Sequence, residues 1–95
     1  MAFDAAVSKK KRPSPTTAEI NVHIGQRIRL ARRKAGKHQL HLAVAVGTGH
    51  RTVSKYESGA IQISAHTLWK IATALNQPIE YFYKGLRKPS PKKVR

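Results

Sequence analysis

Three glycines in the middle of the sequence constrain the fold more than any other feature. Gly36, Gly47 and Gly59 divide the centre of this 95-residue chain into short segments. Apolar residues in these segments recur with the three-to-four-residue spacing of one helix face, and no segment shows sustained strand alternation. Because glycine adopts the left-handed conformation in which many helices end, each glycine is expected to close a helix. The sequence therefore predicts an all-α chain.

Five helices are predicted, packed as one compact domain over residues 20–85. The first runs from about His23 to Ala35, the second over 39–46 and the third over 50–58. Ser64 can cap the start of a fourth helix with its hydroxyl. Pro78 suits the first turn of a short fifth helix, where its missing N–H is not needed. The side chains expected to face the core are Ile24, Ile28, Ala31, Ala35, Leu42, Ala43, Val46, Val53, Tyr56, Leu68, Ile71, Ala72, Leu75, Ile79 and Phe82.

The two ends of the sequence differ from this middle part. Both are polar and basic, and both are interrupted by prolines, so they bury too little apolar surface to fold alone. We expect a disordered basic N-terminal arm over residues 1–19 and a flexible basic tail over residues 86–95. The run Lys9–Arg12 would pass for a nuclear localisation signal, but a solvated arm that adds affinity for phosphates is the simpler interpretation.

The strongly positive charge of the chain favours polyanions as its binding partners. Nineteen Lys and Arg face four Asp and Glu, which gives a formal net charge of +15. Charge alone does not distinguish DNA, RNA, acidic membrane surfaces and acidic proteins. No membrane partner is predicted, because no run approaches the ~18 apolar residues of a spanning helix. The absence of cysteine excludes disulfides and thiolate sites and fits a reducing compartment, so we expect a cytoplasmic, nucleoid-associated protein.

The turn between the second and third predicted helices points to a specific use of this charge. Gly47, Thr48 and Gly49 separate the two helices, and a short glycine-containing turn between two short helices is typical of a helix-turn-helix. A major groove admits one helix, while the other helix crosses the backbone and fixes the angle of insertion. The predicted partner is therefore double-stranded DNA.

The stretch from Ile24 to Tyr83 resembles the Cro and phage-repressor (XRE-like) helix-turn-helix family. The residues that carry the resemblance are I-G-Q-R-I-R at 24–29, Gln39, L-A at 42–43, Gly47, V-S-K-Y-E at 53–57, Gly59, I-S-A-H-T-L at 63–68, K-I-A at 70–72 and A-L at 74–75. The resemblance implies a lambda-repressor-like domain that acts as a homodimeric transcriptional regulator, most simply a repressor. Its two half-sites would lie about one helical turn, ~34 Å, apart.

The resemblance also implies roles for individual residues. The start of the third helix reaches bases, which favours His50, Arg51 and Lys55, with Thr52 and Ser54 as second choices. Helical geometry agrees, because positions 50, 51, 54 and 55 share a face opposite Val53 and Tyr56. Further roles implied by the family are phosphate contacts for Gln39 and Ser58, a structural ion pair between Arg32 and Glu57, and a helix cap at Gly49, where serine or threonine is usual.

Several other side chains have two interpretations. Arg27, Arg29 and Arg33 on the first helix can bind phosphates or simply face solvent. His38 and His41 are spaced like a metal pair, but no cysteine or nearby carboxylate joins them, so no metal and no cofactor is predicted. The aromatic residues that could stack on unpaired bases are more simply core or dimer surface; they are Trp69, Tyr81 and Tyr83.

Two other functions compete with the regulator. The first is a partner-binding module of the same fold, such as an antitoxin domain, for which exposed Leu40, Val44, Trp69 and Tyr81 would form the surface. The second is non-specific coating of nucleic acid by charge alone. An enzyme is not predicted, because no Ser, His and acid arrangement and no phosphate-binding glycine loop is present.

Overall fold

The structure, a computed structural model, describes residues 14–86. No strand occurs in this range, so the all-α prediction is confirmed. Most of the predicted arm and tail falls on residues 1–13 and 87–95, outside the described range. The elements are α1 (Thr17–Lys34), α2 (Gln39–Val46), α3 (His50–Ser58), α4 (Ala65–Ala74) and a 3₁₀ helix (Ile79–Tyr83).

The first helix begins earlier than its apolar pattern predicts, at Thr17 rather than near His23. The Glu19 N–H donates to Thr16 Oγ1 (3.1 Å), and the Thr16 N–H donates back to Glu19 Oε1 (2.9 Å). This reciprocal capping box satisfies two N–H groups that the start of a helix would otherwise leave unpaired. The helix therefore starts on polar residues, and positions 17–19, predicted to belong to the arm, lie in α1.

The prediction of five helices is wrong in its last element. Residues Ile79–Tyr83 form a five-residue 3₁₀ helix, so the described range contains four α-helices. Pro78 precedes this element with extended backbone (φ −71°, ψ 154°) instead of lying in its first turn. Phe82 is fully buried, whereas Ile79, expected in the core, is 37% exposed. Phe82 is the single fully buried side chain of this short segment, and short helical segments are often 3₁₀.

The core lies where the four α-helices meet the 3₁₀ helix. Its buried apolar side chains are Ile24, Ile28, Ala31, Leu42, Ala43, Val46, Val53, Leu68, Ile71, Ala72, Leu75 and Phe82. α1 packs against α3 and the 3₁₀ helix, and α2 packs against α3 and α4. Ala35, which was also expected inside, is exposed because it caps the C-terminus of α1. The apolar periodicity thus identified most of the core and failed at helix ends.

The turn between α2 and α3 is built on two glycines with different conformations. Gly47 ends α2 with φ 84°, in the left-handed region that was predicted for it. Gly49 precedes α3 with extended backbone (φ −91°, ψ 160°) and provides no side-chain cap. Ser64 does cap α4, as predicted, by accepting a hydrogen bond from the Thr67 N–H (3.0 Å). The bounds of α2 and α3 are those expected from the sequence.

Two hydrogen bonds join α1 to the end of the described chain. Arg27 Nε donates to the Tyr81 carbonyl oxygen (2.9 Å), and the guanidinium carbon lies 4.0 Å from the centre of the Tyr81 ring. A second bond links His23 Nε2 with the Lys84 carbonyl oxygen (2.8 Å). The 3₁₀ helix and the residues after it are therefore fixed against α1. Within residues 14–86 no helix has the length and apolar character needed to cross a membrane.

Candidate nucleic-acid interface

The first two turns of α3 present their polar side chains to solvent. His50, Arg51, Ser54 and Lys55 are exposed, and Thr52 is half-buried. They are opposite Val53, which is fully buried. One face of the helix is therefore packed into the domain, while the other carries the cations Arg51 and Lys55 together with His50 and Ser54; Thr52 lies at the edge between the two faces.

The last turn of α3 is held from the inside by a buried carboxylate. Arg32 donates to both oxygens of Glu57, through Nε to Oε2 (2.6 Å) and through Nη2 to Oε1 (3.0 Å). The two side chains are 10% and 4% exposed. Arg32 Nη1 also donates to the Lys37 carbonyl oxygen (2.8 Å), so the guanidinium joins α1, the loop before α2, and α3. Glu57 is the only acidic residue of α3, and this pairing leaves the exposed face of that helix without negative charge.

Gln39 completes this polar cluster from α2. Its Nε2 donates to Glu57 Oε1 (3.1 Å), so the carboxylate accepts from two helices at once. Gln39 is half-buried and is the first residue of α2. A glutamine amide has two N–H donors, and one of them is accounted for by Glu57. The residue predicted to bind phosphate therefore also has a structural contact, which the sequence did not indicate.

Gly25 permits α1 and α3 to approach each other at the backbone. A Cβ atom at this position would lie 2.3 Å from the Tyr56 carbonyl oxygen and 2.6 Å from that of Glu57. In the sequence, Gly25 stands out only as part of the motif I-G-Q-R-I-R. A glycine within a helix costs up to ~1 kcal/mol relative to alanine, and that cost was the available signal that close packing requires it.

The other predicted phosphate ligands are exposed on α1 and at the end of α3. Arg29 and Arg33 are exposed on α1, without hydrogen bonds to other side chains in the described range. Ser58 is exposed at the end of α3; its Oγ donates to the Lys55 carbonyl oxygen (3.1 Å) and accepts from the Ala60 N–H (3.3 Å). Arg27, in contrast, lies on the Tyr81 ring, so it is engaged within the protein, as Arg32 is.

The histidines at the start of α2 contact each other. The His38 N–H donates to His41 Nδ1 (3.1 Å), and the two ring centres are 5.4 Å apart. His41 thereby caps the helix and uses a ring nitrogen that a metal ion would otherwise take. No group of three His, Asp or Glu side chains suited to a metal is present between residues 14 and 86.

Large apolar side chains are exposed on α2 and α4. Val44 is 73% exposed, Leu40 61% and Trp69 59%. Trp69 therefore lies outside the core. Tyr81 is half-buried, and the guanidinium of Arg27 covers one face of its ring, which argues against stacking of that face on a nucleic-acid base.

Comparison with protein families agrees with this geometry. A family model described as helix-turn-helix matches residues 28–82, more than half of the chain. The chain belongs to this helix-turn-helix family. It is 35% identical over 77 residues to an HTH-type transcriptional regulator of Sinorhizobium medicae (strain WSM419). That alignment covers 81% of the chain and 52% of the relative, so the chain spans about half the length of such curated relatives.

Two solved structures of helix-turn-helix proteins are similar to the described domain. The restriction-modification controller protein C.AhdI from Aeromonas hydrophila is 33% identical with a TM-score of 0.62, over 64% of this chain and 92% of that one. The P22 c2 repressor, solved in complex with a synthetic operator, is 29% identical with a TM-score of 0.61, over 65% and 94% of the two chains. The helix-turn-helix protein described here thus shares nearly the whole fold of both.

Proposed function

We propose that this helix-turn-helix protein is a sequence-specific regulator of transcription that inserts α3 into the major groove of double-stranded DNA. One observation carries the proposal: α3 has a polar, cationic face in solvent, while its other side is fixed to α1 and α2 through Glu57. A helix that reads bases needs both properties, because its side chains must reach the groove at a set angle. The relatives named above, which include transcriptional regulators and a repressor bound to operator DNA, support this use of the fold.

The base contacts are assigned to the exposed face of α3. Arg51 and Lys55 are donors suited to guanine O6 and N7, and a good contact of this kind is worth ~1–3 kcal/mol of base discrimination. His50 lies beside Arg51 at the helix start. Thr52 and Ser54 have shorter side chains and contact bases where α3 lies closest to them.

The phosphate contacts are assigned to the edges of the same surface. Gln39 begins α2, where unpaired backbone N–H groups and the helix dipole favour an anion. Arg29, Arg33 and Ser58 extend the surface along α1 and the end of α3. These contacts position the protein on the duplex and carry no sequence information directly.

The regulator acts as a homodimer that represses transcription in the cytoplasm, on nucleoid DNA. A two-fold dimer would place two copies of α3 in successive major grooves ~34 Å apart, so the operator would be an inverted repeat. Exposed apolar residues of α4 and the 3₁₀ helix, Trp69 and Ile79 among them, are available for the dimer contact.

Selection of binding sequences from random duplex DNA with the purified full chain tests the proposal. The expected result is an enriched inverted repeat with half-sites about 10 base pairs apart. Enrichment of an unrepeated half-site would overturn the dimer and leave the regulator. A pool without an enriched motif would overturn specific recognition and favour coating of DNA by charge.

A partner-binding function of the antitoxin type is the second candidate. The observation that favours it is the exposure of Leu40 and Val44 on α2. With a co-encoded partner protein, the double variant Leu40→Ser/Val44→Ser would lose the complex, while Arg51→Ala would retain it. The opposite pattern, or no complex with such a neighbour, would reject this function.

A further inference from the structure

An open groove runs between the first half of α1 and the residues that follow the 3₁₀ helix. Its volume is about 730 Å³. Pro15, Ala18 and Val22 supply apolar surface on the α1 side, Gly85 and Leu86 form the opposite wall, and the remaining lining side chains are polar. Val22, a large apolar residue of α1 that lines the groove, is 41% exposed.

The groove is held open by contacts within the domain. The bond between His23 Nε2 and the Lys84 carbonyl oxygen (2.8 Å) fixes the wall that contains Gly85 and Leu86. The capping box of Thr16 and Glu19 fixes the start of α1 on the other side. Both walls are therefore formed before any occupant binds, so an apolar segment can enter without rearrangement of the domain.

We propose that residues Met1–Val7 of the same chain occupy this groove, with Phe3 as the anchor. Every residue of this segment except Asp4 is apolar. The segment after Leu86 is a poor alternative, because between Arg87 and Arg95 Val94 is the single aliphatic side chain. An aromatic side chain removes ~150–250 Å² of surface from water when it is buried, so Phe3 has the most to gain from the groove.

The connection between segment and groove is long enough. Pro15 lines the groove itself, so the chain re-enters the described range at the place where the segment is to dock. The seven residues 8–14 can span at most ~23–25 Å, at ~3.3–3.6 Å per residue, so the chain has room to turn back before it enters α1. Because the segment and the groove belong to one chain, the effective concentration of the segment at the groove is high. This compensates for the small area that so short a segment can bury.

The docked segment would determine where the cationic run Lys9–Arg12 lies. This run follows Val7 directly, so docking would hold it beside the start of α1. That location is close to α3, because a Cβ atom at Gly59, which ends α3, would lie 2.7 Å from Val22 Cα. The arm would thus extend the domain beside the end of α3, where the proposed phosphate contact Ser58 lies. The contact itself does not depend on DNA binding.

A single spin label tests the proposal, because the natural chain contains no cysteine. The variant Ala2→Cys carries the label at the far end of the segment, and nuclear magnetic resonance of the full chain reports which amide signals it broadens. The expected result is strong broadening at Ala18, Val22 and Gly85, with Val44 and Trp69 unaffected. Equal broadening over the surface, or broadening confined to residues next to Ser14, would overturn the proposal.

Two further variants separate docking from mere proximity. Phe3→Asp in the labelled chain removes the anchor and should abolish the groove signal. Ala18→Glu places a charge in the groove yet keeps the fold, because a carboxylate in the first turn of a helix is favourable; it should abolish the signal as well. Persistence of the signal in both variants would reject the groove as the site.

A mixed sample distinguishes the same chain from a second copy. Isotope-labelled protein without the spin label is combined with unlabelled protein that carries it. Unchanged groove signals in this mixture are expected. Broadening of the groove signals would show that the segment docks on another copy, which would overturn the intramolecular proposal.

Discussion

The two halves of α3 differ in what holds them. Its last turn is fixed by Arg32 and Gln39 on Glu57 and by the backbone contact at Gly25. Its first two turns expose His50, Arg51 and Ser54 and are anchored mainly by Val53. One nine-residue helix thus separates its attachment from its proposed recognition surface. Substitutions near its end should alter stability, and those near its start should alter DNA preference.

The largest effect is expected from breaking the buried ion pair. In Glu57→Gln, Arg32 would keep a buried charge without its counter-ion, and removal of one partner of such a pair costs about 3–5 kcal/mol. Urea unfolding followed by circular dichroism would measure this loss in the free energy of unfolding. Glu80→Gln is the matched control, because Glu80 is exposed and a surface change of this kind alters stability by about 0.5 kcal/mol or less. Equal stability of the two variants would refute the structural role of the pair.

The next effect concerns the backbone contact between α1 and α3. Gly25→Ala should lower the free energy of unfolding by about 1–3 kcal/mol, because the added methyl group meets two carbonyl oxygens that cannot rotate away. The same substitution at Gly49, where no atom lies within 4 Å of the new Cβ and φ is negative, is the control. A Gly25→Ala protein as stable as Gly49→Ala would show that the close approach is not required.

A third prediction addresses the exposed half of α3. Arg51→Ala should weaken binding to the selected operator while leaving binding to scrambled duplex nearly unchanged, so that discrimination falls by about 1–3 kcal/mol. Arg29→Ala should weaken binding to both duplexes alike and reduce the salt dependence, since a phosphate contact is sequence-independent. Titrations on matched and scrambled duplexes measure both variants. Equal losses on the two duplexes for Arg51→Ala would remove it from the base-contact surface.

The smallest effect is expected at the start of α3. Gly49→Ser should raise the free energy of unfolding by a few tenths of a kcal/mol, because serine caps a helix slightly better than glycine. The backbone there already has the extended conformation of an N-cap. Thermal unfolding of the variant beside the natural protein would detect the shift, and a fall in stability would indicate that Gly49 is required for the angle of the turn.

The sequence predicted α2 and α3 well because their limits are set locally. Gly47 ends α2, and the apolar residues that recur after the turn with helical spacing indicate that a second helix follows. The earlier start of α1 was also encoded locally, in the pattern Thr16 to Glu19 that forms the capping box, but it lies before the apolar repeat on which the prediction relied. The form of the last helix was not predictable from a local pattern, because this segment is held by long-range contacts such as the bond from Arg27 to the Tyr81 carbonyl oxygen.

The candidate nucleic-acid interface likewise has a part that the sequence predicts and a part that it does not. Which α3 residues face outward follows from helical periodicity, and the structure places them accordingly. The engagement of Arg27 by Tyr81 joins positions far apart in the chain, so no local pattern could separate this arginine from Arg29 and Arg33. The contact of Gln39 with Glu57 depends on the packing of α2 against α3 and was missed for the same reason.

The groove beside α1 also affects how the protein can be re-engineered. Pro15 and Leu86 lie near the two ends of the described range, and both line this groove. The two ends of the domain are therefore close together. Domains with neighbouring ends commonly tolerate circular permutation. A short linker across the groove, with new ends opened at the loop that contains exposed Gln62, would carry a fused enzyme or fluorophore at a different place on the surface while every helix kept its neighbours.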